Sequence, residues 1–156
     1  MKKSLIMLAL AALCGVYAQN KETVVQDSAF SYESDAAKVA DANASDRSAG
    51  RMNVTKGWTM KYFVPKTLAG EKTITVSLRS DLKDAKGTFV VGIYDKKIKK
   101  IVLAQRVKIA NYAGTAYKDL NLGKWNFSDS NYIFISSLSP KHTQPGSIFV
   151  DKITFK

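Results

Sequence analysis

The chain is short of the residues on which most enzyme chemistry depends. It holds one histidine, His142, and one cysteine, Cys14, in 156 residues. A lone histidine has no second imidazole with which to share a metal ion, and between Pro140 and Pro145 it reads as a solvated loop residue. Cys14 has no partner, so no disulfide can staple the fold. There is no G-x-S-x-G elbow, phosphate-binding glycine loop or H-E-x-x-H helix. Glu33 and Asp35 form a close acidic pair of the kind a glycosidase uses, but a structural role explains them better. The expectation is a protein that is not an enzyme. Carboxylates are scarce as well: 13 Asp and Glu stand against 24 Lys and Arg, a net charge of +11. Such a surface attracts anions, whether acidic glycans, lipid headgroups or nucleic acid. The densest cluster, "DKKIKK" at 95–100, nevertheless reads as a solvated turn between strands, so nucleic acid is not the expected partner.

Long apolar runs are missing too, and no stretch could span a membrane as a helix. The only candidate, Ser4 to Leu13, is short, follows Lys2 and Lys3, and precedes Val16-Tyr17-Ala18. That order is a secretory signal with cleavage expected after Ala18. Lipid attachment at Cys14 is disfavoured, because the residue before it, Leu13, is bulky. The expected destination is the periplasm, the cell surface or the medium. Residues 19–28 are polar and read as a flexible leader, and 29–156 as one domain, large enough for a real core.

What fills that domain is alternation. Trp58, Met60, Tyr62 and Val64 alternate with Thr59, Lys61 and Phe63. Ile74, Val76 and Leu78, then Phe89, Val91 and Ile93, repeat the pattern. Runs at 101–109, 117–122, 132–138 and 148–155 continue it, separated by turn signals such as "LAGEK", "NYAG" and "FSDSN". Only 36–44 could form a short helix, and an irregular loop suits it equally. The expectation is an all-β single sandwich of the jelly-roll kind.

Three features single out candidate sites. Phe149, Asp151, Ile153 and Phe155 share one face of the last strand, so Asp151 is an acid on an apolar face and needs a partner. A cation, a salt bridge to Lys or Arg, or a hydrogen bond from a nearby backbone N–H would each serve. Trp58 belongs to the core by its phase. Trp125, in "LGKWNFSDSN", and Tyr112, in "NYAG", read as loop aromatics, available either to stack on a ligand or, for Trp125, to cover one end of the sandwich.

The order of these features resembles the carbohydrate-binding modules of the galactose-binding-like jelly roll. Those modules open with an acidic E-x-E strand, matched by Glu33-Ser34-Asp35. A glycine-containing segment follows, matched by Ala49-Gly50-Arg51, then a "G-W-x-x-Y-x-V" strand at Gly57 to Val64. Ile74 to Arg79 matches the next strand, and "GSIFVDKITF" the last. "NYIFISSLS" departs from the usual "G-x-N-x-I", and the last strand lacks a sugar-contacting Asn. The resemblance implies a secreted, non-catalytic module that binds a glycan or cell-surface polysaccharide, with Arg51 joining Tyr112 and Trp125 as ligand contacts; otherwise Arg51 is an exposed charge. It also implies a structural calcium held by Glu33, Asp35 and Asp151, for which carboxylate oxygens are suitable ligands. Two other functions suit the residues: an interaction module with a protein partner in a cell-surface assembly, or a binder of polyanions through the basic surface.

Overall fold

A computed structural model describes residues 22–82, 87–137 and 146–156; the predicted signal segment, Cys14 and His142 lie outside them. The alternating runs become eleven strands: β1 (Thr23–Gln26), β2 (Ser31–Ser34), β3 (Ala36–Ala40), β4 (Ser48–Asn53), β5 (Trp58–Phe63), β6 (Gly70–Ser80), β7 (Thr88–Asp95), β8 (Lys100–Lys108), β9 (Lys118–Phe127), β10 (Asn131–Ser137) and β11 (Ser147–Phe155). They form two sheets. One runs β3-β4-β11-β6-β9, with β1 also paired to β11. The other runs β2-β5-β10-β7-β8. The strand pairs are antiparallel. Among the described residues no helix is long and apolar enough to cross a membrane.

The core is the set of inward rows that period two demands. Trp58, Met60, Tyr62 and Val64 from β5 and the segment after it meet Ile74, Val76 and Leu78 of β6, and all are buried. Phe89, Val91 and Ile93 of β7 and Ile133 and Ile135 of β10 complete the layer. Two expectations change. Residues 36–40 are neither helix nor loop but an edge strand against β4. The leader also ends earlier than residue 28: Thr23–Gln26 pairs with Phe155 to Lys152, and Asp27 is fully buried.

The ladders slip register in three places, between β7 and β8, in β9 and in β11, and the slips in β9 and β11 reverse the phase of the strand. In β9 the register against β6 slips between Ile74 and Thr75, leaving Leu122 as the extra residue beside Gly123. Gly123 has φ +87°, a conformation glycine adopts without a Cβ clash. Leu120 and Leu122 point inward before the slip, and Phe127 after it, with Trp125 on the same side packed against the core. In β11 the slip falls between Val150 and Lys152. Ile148 and Val150 face the core before it, and Ile153 and Phe155 after it. Phe149 is therefore on the outer face, contrary to the simple alternation, and Asp151 is the extra residue of the bulge.

Candidate functional site

Asp151 answers to a serine. Its Oδ1 accepts hydrogen bonds from the Ser45 backbone N–H at 2.9 Å and the Ser45 hydroxyl at 2.8 Å. The site exists because β4 ends its pairing with β11 at Val150 while β1 begins at Lys152. The bulged residue stands at that junction with no strand partner, and the loop between β3 and β4 supplies the donors. The other two residues expected around a calcium ion do not come near. Ser34 has φ +60°, so the chain turns out of β2 between Glu33 and Asp35. Glu33 accepts from Lys61 on the five-stranded sheet, and Asp35 pairs with Lys56 at 3.1 Å. Among the described residues no three acidic, histidine or cysteine side chains converge to hold a metal ion. As a set, Glu33, Asp35 and Asp151 do not fit calcium. The expected result is that a chelator leaves the melting temperature unchanged, while Ser45→Ala destabilises by about 1.5–3 kcal/mol through the lost charged hydrogen bond. A melt lowered by chelator and restored by calcium would put a cation at this seam instead.

The expected ligand contacts are also dispersed. Tyr112 lies in a short 3₁₀ turn, Ile109–Tyr112, and belongs to the core. Trp125 lies on β9, its ring against the core and its Nε1 buried without a partner among the described residues. Arg51 is exposed on β4, opposite Phe149 of β11. In the sheet order β4 and β9 are separated by β11 and β6, so Arg51 and Trp125 do not share a surface patch.

The structure gathers a different set of aromatic residues, on the outer face of the five-stranded sheet. Cross-strand register aligns Phe63 of β5, Tyr132 of β10 and Tyr94 of β7 in one row. Tyr94 and Tyr132 stack with centroids 5.0 Å apart and planes at 24°. Phe63 meets Tyr132 at 5.4 Å and is 49% exposed. The neighbouring row is Lys61, Phe134 and Gly92. Gly92 lets the Phe134 ring settle onto the sheet: a Cβ there would stand 2.8 Å from Phe134 Cζ and 2.4 Å from the Leu103 carbonyl oxygen. The next row is polar. Glu33 and Thr59 face each other, and the Thr59 and Ser136 hydroxyls are hydrogen-bonded at 3.0 Å. Between the rows runs a groove of about 260 Å³, floored by Phe134 and walled by Tyr94, Tyr132, Lys61, Thr59 and Glu33.

Two ammonium groups lie over this aromatic row. Lys61 Nζ is 5.6 Å from the Tyr132 centroid, and Lys96 Nζ is 5.6 Å from that of Phe63. Burial raises the Tyr132 phenol pKa, against the pull of Lys61 and with Tyr94 and Glu33 adding to the rise. The phenol is therefore a neutral donor at ordinary pH. Flat apolar faces beside fixed donors and acceptors are what a pyranose ring can use, C–H groups on one side and hydroxyls at the edge. The signal for this face was present in the sequence. Phe63, Tyr94 and Tyr132 occupy the outward phase of strands whose inward phase is already apolar.

No family model matches the chain, and no curated protein matches it by sequence. By fold it is similar to a family 35 carbohydrate-binding module from Clostridium thermocellum, with TM-score 0.64, 12% identity, and 86% of this chain and 97% of that one covered. It is also similar to the CBM36-1 domain of a multidomain xylanase from the hindgut metagenome of Trinervitermes trinervoides, with TM-score 0.59, 11% identity, and 87% and 97% covered. A third is CsCBM6-3 from Clostridium stercorarium in complex with cellobiose, with TM-score 0.56, 12% identity, and 86% and 92% covered. The chain thus has the galactose-binding-like jelly-roll fold of carbohydrate-binding modules.

Proposed function

We propose that this protein is an exported, non-catalytic carbohydrate-binding module whose glycan lies across the outer face of the five-stranded sheet. The observation that carries the reading is the row Phe63, Tyr132 and Tyr94, three aromatic side chains on adjacent strands that face outward beside a groove of mixed aromatic and polar lining. The fold likeness to carbohydrate-binding modules supports the same reading. So does the supply of reactive groups: Glu33 and Asp35 each engage a lysine and point apart, which does not suit two carboxylates acting on one glycosidic bond. Export rests on the basic, apolar and small-residue order of residues 1–18.

Binding should depend on these rings. Tyr132→Ala and Phe63→Ala should each weaken affinity for a glycan oligomer about tenfold, the worth of one stacking platform of 1–1.5 kcal/mol. The circular-dichroism spectrum should be unchanged. Trp125→Ala should leave affinity as it was. Calorimetric titration of wild type and variants checks this, and loss of binding in Trp125→Ala alone would move the site to the other sheet. A second reading, a docking surface for a protein in a cell-surface assembly, draws on exposed Phe63, Ile98 and Ile101 at one end of the same sheet. Glycan titration with no response, together with a protein captured only when Phe63 is intact, would favour it.

A further inference from the structure

We infer that the glycan taken by this groove is acidic, and that Lys96 pairs with its carboxylate or sulfate groups; this rests on the reading of the groove as a glycan site. The ammonium groups of Lys61 and Lys96 both lie over rings of the aromatic row. Each sits 5.6 Å from the centroid of a ring that a sugar would have to cover. That is within the ~6 Å over which an aromatic face attracts a cation. A neutral sugar stacking on Phe63 must push the Lys96 ammonium off the ring and offers it only hydroxyl groups in return, whereas Lys61 over Tyr132 keeps Glu33 as its partner. A sugar carrying an anion at its edge gives the displaced ammonium a stronger partner at the same moment.

The surrounding charge points the same way. The hairpin between β7 and β8 carries Lys96, Lys97, Lys99 and Lys100, all exposed, at the end of the aromatic row. Its only carboxylate, Asp95, is occupied. Oδ1 accepts from the Lys97 and Ile98 backbone N–H groups and the Ser130 hydroxyl, and Oδ2 from the Asn131 amide. Asp95 therefore serves to shape the turn that presents the lysines. Glu33 engages Lys61, whereas Lys96 has no ion-pair partner among the described residues. Four exposed lysines thus stand at the end of the aromatic row, where an anionic ligand would meet them.

The test is affinity electrophoresis and titration of the purified protein against four polymers of similar length: polygalacturonate, a sulfated galactan, a neutral β-glucan and single-stranded DNA. Each is measured at ~20 mM and ~300 mM sodium chloride. An acidic glycan should bind at least about tenfold more tightly than the neutral one at low salt, and the advantage should shrink at high salt as the charges are screened. Uronate against sulfate tells which anion fits. Lys96→Gln should lower affinity for the acidic glycan about three- to tenfold and slightly raise that for the neutral one, which no longer has to displace an ammonium from the Phe63 ring; Tyr132→Ala should lower both. Equal affinity for acidic and neutral glycans, with both lost in Tyr132→Ala, would overturn the inference and leave the groove a glycan site. DNA retained as well as the acidic glycan, with neither affected by Tyr132→Ala, would overturn it in favour of unspecific charge binding. No glycan bound at either salt would remove the groove reading itself.

Discussion

Asp41→Ala should destabilise this protein by about 3–5 kcal/mol, a large part of the total stability of a domain this size. Asp41 follows β3 and is buried, as is Arg79 on β6. Its Oδ2 accepts from Arg79 Nε at 2.9 Å, from Nη2, and from the Tyr117 hydroxyl at 2.7 Å, while Oδ1 accepts from the Asn43 backbone N–H at 3.0 Å. The guanidinium lies 3.7 Å from the Phe149 ring centroid, on the outer face of the six-stranded sheet. Removing the carboxylate strands a buried cation and a phenol together. Replacing both charges, as Asp41→Leu with Arg79→Met, should recover most of the loss, because the penalty belongs to the unpaired charge. Urea titration of the three variants checks this. The network also has a pH signature. Burial pushes the Asp41 pKa up, but hydrogen bonds from Tyr117, Asn43 and Arg79 and the Arg79 charge outweigh it, and the net shift is downward. A carboxyl depressed in the folded state stabilises fully above its ordinary pKa near 4 and loses that contribution as pH falls through the folded value. The gap between wild type and Asp41→Ala should therefore be widest above about pH 4 and narrow below it. A gap that stayed constant down to pH 2 would mean that the loop, not the ion pair, carries the effect.

Trp58→Ala should cost a comparable amount, about 3–5 kcal/mol, by opening a cavity between the sheets. The ring is 3% exposed and lies 6.3 Å from Phe89, tilted at 50°. The informative control is Trp58→Phe. Nε1 is buried and has no hydrogen-bond partner among the described residues, so the indole N–H already carries a desolvation penalty. Phenylalanine keeps much of the ring contact and removes the orphaned donor, and it should cost only about 1–2 kcal/mol. A Phe variant as unstable as the Ala variant would show that the N–H has a partner and that the site is not simply a filled space.

Most of the sandwich was legible because its inward rows obey a period of two without exception in β5, β6 and β7. Trp58, Ile74 and Phe89 are where alternation puts them. Alternation failed where one residue was inserted. Asp151 was misplaced because a bulge in β11 reverses the phase after it, and Trp125 read as a loop residue because the strand was expected to end at Leu122, whereas β9 continues through its bulge to Phe127. The sequence around Gly123 contains the residue such a bulge needs, but Val150-Asp151-Lys152 contains no comparable sign. Glu33 and Asp35 failed differently: an αL residue between them, Ser34, breaks the strand. The Asp41–Arg79 pair left no trace, because it joins a loop to a strand 38 residues away through side chains alone. The aromatic groove could have been found by asking which aromatic residues stand on the outward phase.

The pairing of β1 with β11 has a consequence for a protein held under load. Thr23 stands opposite Phe155, and Glu22 is ion-paired with Lys156 at 3.2 Å. Tension drawn through these two residues acts on one end of a four-residue antiparallel ladder. It breaks the rungs one after another, as a zip opens, and does not shear them together. β11 keeps β6 as a neighbour and most of the buried side chains, whereas β1 commits only Val25 to the core. Stretching should therefore release β1 in a weak first step, letting out slack while the opposite sheet stays folded.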